Sequence, residues 1–198
     1  MRDVKICWLD TETTGLSPYK NDIIQLAGMI DINGVVLEEL NFACQPHDFN
    51  EVSKSACAVH GITLEMMQDF EKPIKTWNKF CRILDSRVDR YDKRDKLILA
   101  GYNVGFDKDF LVSWWKKCEQ SYWGSYFEYK VFDVYPLVFM FATHFNWDVP
   151  DHKLETICNY LGIEINAHDA MADIVATRDV YQRLLHALPA EFIPNFGE

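Results

Sequence analysis

The sequence predicts one α/β domain built on a central mixed sheet flanked by helices, and three observations carry that reading. Apolar, partly β-branched runs open the chain before any helical pattern appears. Further apolar runs then alternate with segments of helical periodicity. The 198 residues, 48% hydrophobic and 14% aromatic, suffice for one well-filled core and are too few for two full domains, so 1–198 reads as a single unit.

In chain order, Val4 to Leu9 is the first strand and "DIIQLAGMIDI" the second; Asn33-Gly34 then marks a hairpin into "VVLEELNFACQP". "TLEMMQDF" starts at a candidate N-cap, Thr63, and Ile74, Trp77, Phe80, Cys81 and Leu84 recur at helical spacing between Pro73 and about Val88. "KLILAGYN" is a buried strand meeting a glycine, after which Asn103 caps a helix through Phe110, Val112 and Trp115. "YKVFDVYPL" repeats the strand-then-helix theme, which makes five strands in all. Helices at about Lys153 to Leu161 and Ala170 to Leu188 precede a Pro-containing tail, 189–198.

Charge and cysteine usage narrow the function. A formal net charge of -10 and a pI near 5.0 argue against a protein held to nucleic acid by a broad basic surface. Cys7, Cys44, Cys57, Cys81, Cys118 and Cys158 are scattered without metal-binding spacing and read as core filler in a reduced setting. No apolar stretch suggests a signal peptide or a membrane span, so a cytoplasmic location is expected. The mixed-charge run 85–96 reads as a solvated helix end and loop.

The chemistry sits in "WLDTETTGL". Residues i and i+2 of a strand share a face, so Asp10 and Glu12 project together from the end of the first strand, and a hard divalent cation makes such a pair tolerable. A bare D-x-E could equally be a solvated strand end. Two later segments supply more: "AGYNVGFDKDFL" places Asp107 one helical turn after Asn103, and "AHDAMADIVATRDV" places His168 before a helix with Asp173 in its first turns.

These three motifs, D-x-E, N-x-x-F-D and H-x-A-x-x-D, in this order from about Ile6 to Leu185, resemble those of the DEDD 3′-5′ exonuclease superfamily, which has a ribonuclease H-like fold. One branch carries a tyrosine four residues before the last aspartate, the other a histidine five residues before it; here those positions are Asp169 and His168, the histidine type. That branch includes the proofreading subunits of bacterial replicative DNA polymerases and ribonuclease T or oligoribonuclease-like enzymes, and "AVHGIT" at 58–63 is similar to a loop the family places beside the terminal nucleotide.

The resemblance implies that Asp10, Glu12, Asp107 and Asp173 hold two Mg2+ or Mn2+ ions and that His168 is the general base in hydrolysis of single-stranded or frayed DNA 3′ ends to nucleoside 5′-monophosphates. It also implies contacts from the backbone of Thr13, Thr14 and Gly15, where glycine removes a Cβ obstacle, and from Leu16, His60, Asn103 and Phe106. RNA 3′ ends are the alternative substrate and a nuclease-dead binding module the remaining one. A polymerase or other replication protein is an expected partner, and no membrane is.

Other residues have plainer readings. His60 serves local packing as readily as a nucleotide contact. Asp133 and Asp169 stand at expected N-caps and Asp109 in solvent. His47, His144, His152 and His186 show no partners in the sequence. The aromatic segment 114–129 reads as core or partner surface before it reads as a base-stacking platform. Tyr102 stands where many relatives carry a histidine.

Overall fold

The structure is a computed structural model that describes residues 3–118, 123–165 and 169–188. Strands β1 (Lys5–Thr13), β2 (Ile23–Ile32), β3 (Val35–Ala43), β4 (Ile98–Gly101) and β5 (Phe132–Asp133) form one sheet in the order β3-β2-β1-β4-β5. The β1–β2 and β2–β3 pairs are antiparallel and the β1–β4 and β4–β5 pairs parallel, which is the expected mixed sheet. Helices α1 (Lys54–His60), α2 (Leu64–Asp69) and α3 (Pro73–Arg87) separate β3 from β4. Then come α4 (Gly105–Lys117) after β4, and α5 (Val134–His144), α6 (Leu154–Leu161) and α7 (Ala170–Ala187) after β5.

The hairpin forms as its sequence predicts. Asn33 and Gly34 both have positive φ, 54° and 86°, the combination a two-residue turn between right-twisted strands requires. The Thr63 hydroxyl accepts from the Met66 N–H at 3.3 Å and starts α2.

Strand periodicity sorts the core into two layers. Cys7 and Leu9 of β1 face α3 and α4 with Trp77, Phe80, Leu84, Phe110, Leu111, Trp114 and Trp115. Trp8 points the other way, among Val138, Ile157, Ile174, Val180 and Leu184 of α5, α6 and α7. The aromatic segment therefore goes mainly to the core: Trp115 meets Trp77 edge-on with ring centroids 4.2 Å apart, and Tyr126 and Phe127 close the same layer.

Three expectations need correction. Asn103 does not cap α4; Val104 takes the N-cap position and makes no side-chain cap bond, while Asn103 adopts a left-handed φ of 60° and donates its N–H to Asp133 Oδ1 at 2.8 Å. The run 85–96 is not wholly solvated, because Lys96 is buried and its ammonium donates to the carbonyls of Ser125 (2.7 Å) and Arg90 (3.0 Å). A buried ammonium is tolerable where carbonyls replace its water. The histidines also have partners: His47 binds Asp22, His186 lies 2.8 Å from the Gln182 carbonyl, His144 packs on Phe145, and His152 accepts the Tyr102 hydroxyl at its carbonyl. The six cysteines are free thiols, four of them buried.

Central strand β1 is approached closely from β2. A Cβ on Gly28 would stand 2.3 Å from the Trp8 carbonyl oxygen, a backbone atom with nowhere to go. Gly28→Ala is expected to cost about 2–3 kcal/mol and to lower the melting temperature by roughly 5–10 °C, read by thermal denaturation. An unchanged melt would show that β1 and β2 part freely at this point.

Candidate active site

Even-numbered residues of β1 share the Trp8 face, so Asp10 and Glu12 lie on the side covered by α7, which packs against β1 and β2. The first turn of α7 brings Asp173 to the same place. Asp169 caps that helix, its carboxylate accepting from the Ala172 N–H at 2.9 Å, and its carbonyl accepts from the Asp173 N–H at 2.9 Å. Odd-numbered Thr11 looks to the opposite face and meets α4. Its N–H and hydroxyl both donate to Asp107 Oδ1, at 2.9 and 2.7 Å. Helices from both faces thus deliver carboxylates to the carboxyl end of one strand.

Electrostatics show how close the set is. Burial lifts the Asp10 carboxyl well above the usual carboxylate range, and Asp107, Glu12 and Asp173 each push it further. Burial likewise raises Asp107 to about 7 against the opposing pull of the two Thr11 bonds. The four acids predicted from the motifs therefore converge. Among the described residues no group of three or more His, Cys, Asp or Glu side chains stands positioned to hold a metal ion as it is; the acids meet as mutually repelling charges. An all-carboxylate set in a buried setting suits a hard divalent cation. His168 lies outside the described residues.

Beside Glu12 opens a cavity of about 670 Å³. Thr13, Gly15, Leu16, His60 and Phe106, all singled out from the sequence, line it. Leu16 is 86% exposed at its mouth. His60 closes α1 and not a loop; its Nδ1 accepts from the Ile62 N–H at 3.0 Å, and burial holds its pKa below the ordinary value despite the Thr13 backbone. Two predicted contacts stand elsewhere. Thr14 is fully buried, its N–H donates to the Asp22 carbonyl and its carbonyl accepts from Ser53, so it fixes the loop. Asn103 is not part of the wall.

Gly15 is needed for a reason the sequence did not disclose. A Cβ there would fall 2.5 Å from Asn21 Oδ1, and the Asn21 amide ties the loop together by accepting from Ser17 N–H and donating to the Glu51 carbonyl. The remaining wall, Ser53, Ser55, Ala56 and Val59, belongs to α1 and its cap. No residue of that helix is buried, so it has no apolar stripe; Ser53 before it and Gly61 after it, the latter at φ 73°, were its only signals.

Comparison with known proteins places the chain in a family. The RNase T exonuclease family matches residues 7–181. A DNA polymerase III subunit epsilon-like protein of Rhodobacter capsulatus is 30% identical over 192 residues, 95% of this chain and 25% of that protein. The PolC-type DNA polymerase III of Oceanobacillus iheyensis is 26% identical over 190 residues, 96% of this chain and 12% of the relative. This chain thus spans a quarter or less of the length of these relatives.

Among solved structures, E. coli exonuclease I in complex with single-stranded DNA superposes with a TM-score of 0.76 at 22% identity over 93% of this chain and 40% of the other. Its complex with a 5cy-dT13 oligonucleotide gives 0.79 at 20% identity, over 97% and 43%. At such identity the likeness concerns the fold. Among the described residues no helix is long and apolar enough to cross a membrane. The family match over residues 7–181 establishes that this chain is an exonuclease domain and belongs to the RNase T family of the DEDD superfamily.

Proposed function

We propose that this domain removes nucleotides one at a time from the 3′ ends of single-stranded or frayed DNA, releasing nucleoside 5′-monophosphates. The observation that carries the proposal is the crowding of Asp10 by Asp107, Glu12 and Asp173 in a buried site, a charge arrangement that a bound cation relieves. These four side chains hold two divalent cations, Mg2+ or Mn2+. When bound, the cations supply Lewis-acid activation of water and charge neutralisation at the phosphodiester.

The chain's own residues do the rest. An imidazole nitrogen of His168 takes the proton from the attacking water. Thr11 aims the Asp107 carboxyl by its two hydrogen bonds, which favour the ionised form against the pull of burial. The cavity is sized for a terminal nucleotide, with Leu16 placed to wedge at the last base and Phe106 to support it. Entry requires an unpaired end, so single strands and mismatched ends react before blunt duplexes. Net negative charge suits short ends held mainly at the terminus, with little processivity unless a partner supplies it. The names of the two relatives, both DNA polymerase III proteins, favour DNA over RNA and a polymerase as that partner.

The test uses 5′-labelled DNA strands ending in a 3′-hydroxyl or a 3′-phosphate, a circular single strand and a matched RNA. Stepwise shortening of the free 3′-hydroxyl strand is expected, lost in chelator and restored by Mg2+ or Mn2+. Ready cutting of the circle would mean an endonuclease, and faster loss of RNA would move the substrate to RNA 3′ ends.

A further inference from the structure

Leu16 is so exposed that packing holds it weakly; where it stands at the mouth of the cavity is decided by the backbone that carries it. The other wall has the same weakness. Helix α1, which supplies Ser55, Ala56 and Val59, has no buried residue and rests on the small cluster of Ile24, Ile62 and Met67 through half-buried Cys57. Polar links therefore decide how far apart loop and helix stand. The Ser53 N–H, at the cap of α1, donates to the Thr14 carbonyl at 2.8 Å, and Asn21 Nδ2 donates to the Glu51 carbonyl at 2.7 Å. The first link is backbone to backbone and survives a change of side chain. The second depends on one amide.

That amide also folds the loop on which Leu16 rides. Asn21 Oδ1 accepts from the Ser17 N–H at 2.9 Å, beside the backbone bond from the Asn21 N–H to the Ser17 carbonyl at 2.7 Å. The oxygen and nitrogen of one planar amide keep a fixed separation, so the residue after Leu16 and the chain leading into α1 are held in one piece. We propose that Asn21 is a positioning residue for the terminal nucleotide: by binding Ser17 and Glu51 at once, it sets the gap between Leu16 and Val59 and so how firmly the cavity grips a 3′ end. This deepens the function proposed above and rests on it. The acids reach the site by other routes, from β1, α4 and α7. Helix α4 is tied to Asn21 through the backbone carbonyl, which accepts from Lys117 Nζ at 2.8 Å whatever the side chain. Loss of the amide therefore weakens binding before and during the chemical step alike, which raises KM and leaves kcat.

The experiment measures kcat and KM of the full chain on a 5′-labelled single DNA strand with a free 3′-hydroxyl, together with Mn2+ affinity. Asn21→Ala is expected to raise KM by ~10-fold or more, with kcat within about twofold of wild type and Mn2+ affinity unchanged. Leu16→Ala also raises KM, and in that background Asn21→Ala is expected to add less than about threefold, because a gap without its wedge no longer needs setting. Asn21→Asp, the variant to use should Asn21→Ala not fold, can accept from Ser17 but cannot donate to Glu51. Its KM is expected to rise and the rise to vanish with Leu16→Ala, whereas repulsion of substrate by an added charge would persist there. An unchanged KM in the Asn21 variants, a fall in kcat alone, or KM effects that multiply fully with Leu16→Ala would overturn this inference alone. A wild type that leaves the strand intact would overturn the function proposed above and this inference with it.

Discussion

Asp10→Asn is expected to lower turnover by at least about a thousandfold while raising the stability of the metal-free protein. The two effects have one origin. Burial and then the charges of Asp107, Glu12 and Asp173 raise the Asp10 pKa, and burial raises that of Asp107 to about 7. An acid whose folded-state pKa exceeds its unfolded value binds protons more tightly when folded. Its contribution to stability is therefore fullest below the unfolded value, near 3.8, and is lost as pH rises through the folded value. In chelator, the wild-type protein should lose melting temperature between about pH 4 and pH 7, and Asp10→Asn should flatten that decline. At about pH 8 a relief of ~2 kcal/mol corresponds to a melting temperature some 4–8 °C above wild type. The gain should shrink in saturating Mg2+, which binds the wild-type acids. Near-normal turnover of Asp10→Asn, or a variant less stable than wild type in chelator, would remove Asp10 from the cation-holding set.

His168→Ala should slow hydrolysis by about 10²–10⁴-fold without loss of metal binding, since its part is to take a proton. His168 directly precedes Asp169, whose side chain is committed to capping α7, so the next polar group along the chain is not available as a substitute base. The wild-type rate should climb as pH rises through the imidazole value near 6.5, and the residual rate of His168→Ala should lack that step. Calorimetric titration with Mn2+ separates the roles. Lost Mn2+ affinity in the variant, or a wild-type profile without the step, would assign His168 another task.

Sequence patterns carried furthest where a local rule and the tertiary structure agree. The Asn33-Gly34 turn, the Thr63 cap, the stripe from Trp77 to Leu84 and the caps at Asp133 and Asp169 all obey short-range chemistry. The four carboxylates were singled out through motifs that resemble those of an exonuclease superfamily, since a bare D-x-E pair alone could equally be a solvated strand end. What escaped was set by long-range partners. Helix α1 has no buried residue and hence no periodic stripe, so the cavity wall built from Ser53, Ser55 and Val59 went unseen. The tie between Asp22, His47 and Lys117 spans 95 residues of chain, and no local pattern announces it. The same holds for Lys96 and its three carbonyls, and for Gly15, whose missing Cβ makes room for Asn21.

Helix α4 is anchored at both ends. Asp107 in its first turn takes two hydrogen bonds from Thr11, and Lys117 in its last turn donates to the Asp22 carboxylate and the Asn21 carbonyl. Between them Ser113 holds the Pro18 carbonyl. An α-helix turns 100° and rises about 1.5 Å per residue, so inserting or deleting a single residue between these anchors would swing Lys117 a quarter-turn or more away from Asp22 or drag Asp107 from Thr11. Exposed positions such as Asp109 are free to drift in sequence, but the length of the segment from Asp107 to Lys117 is not. Descendants of this chain can thus accumulate substitutions along α4 while length changes are confined to the segments on either side.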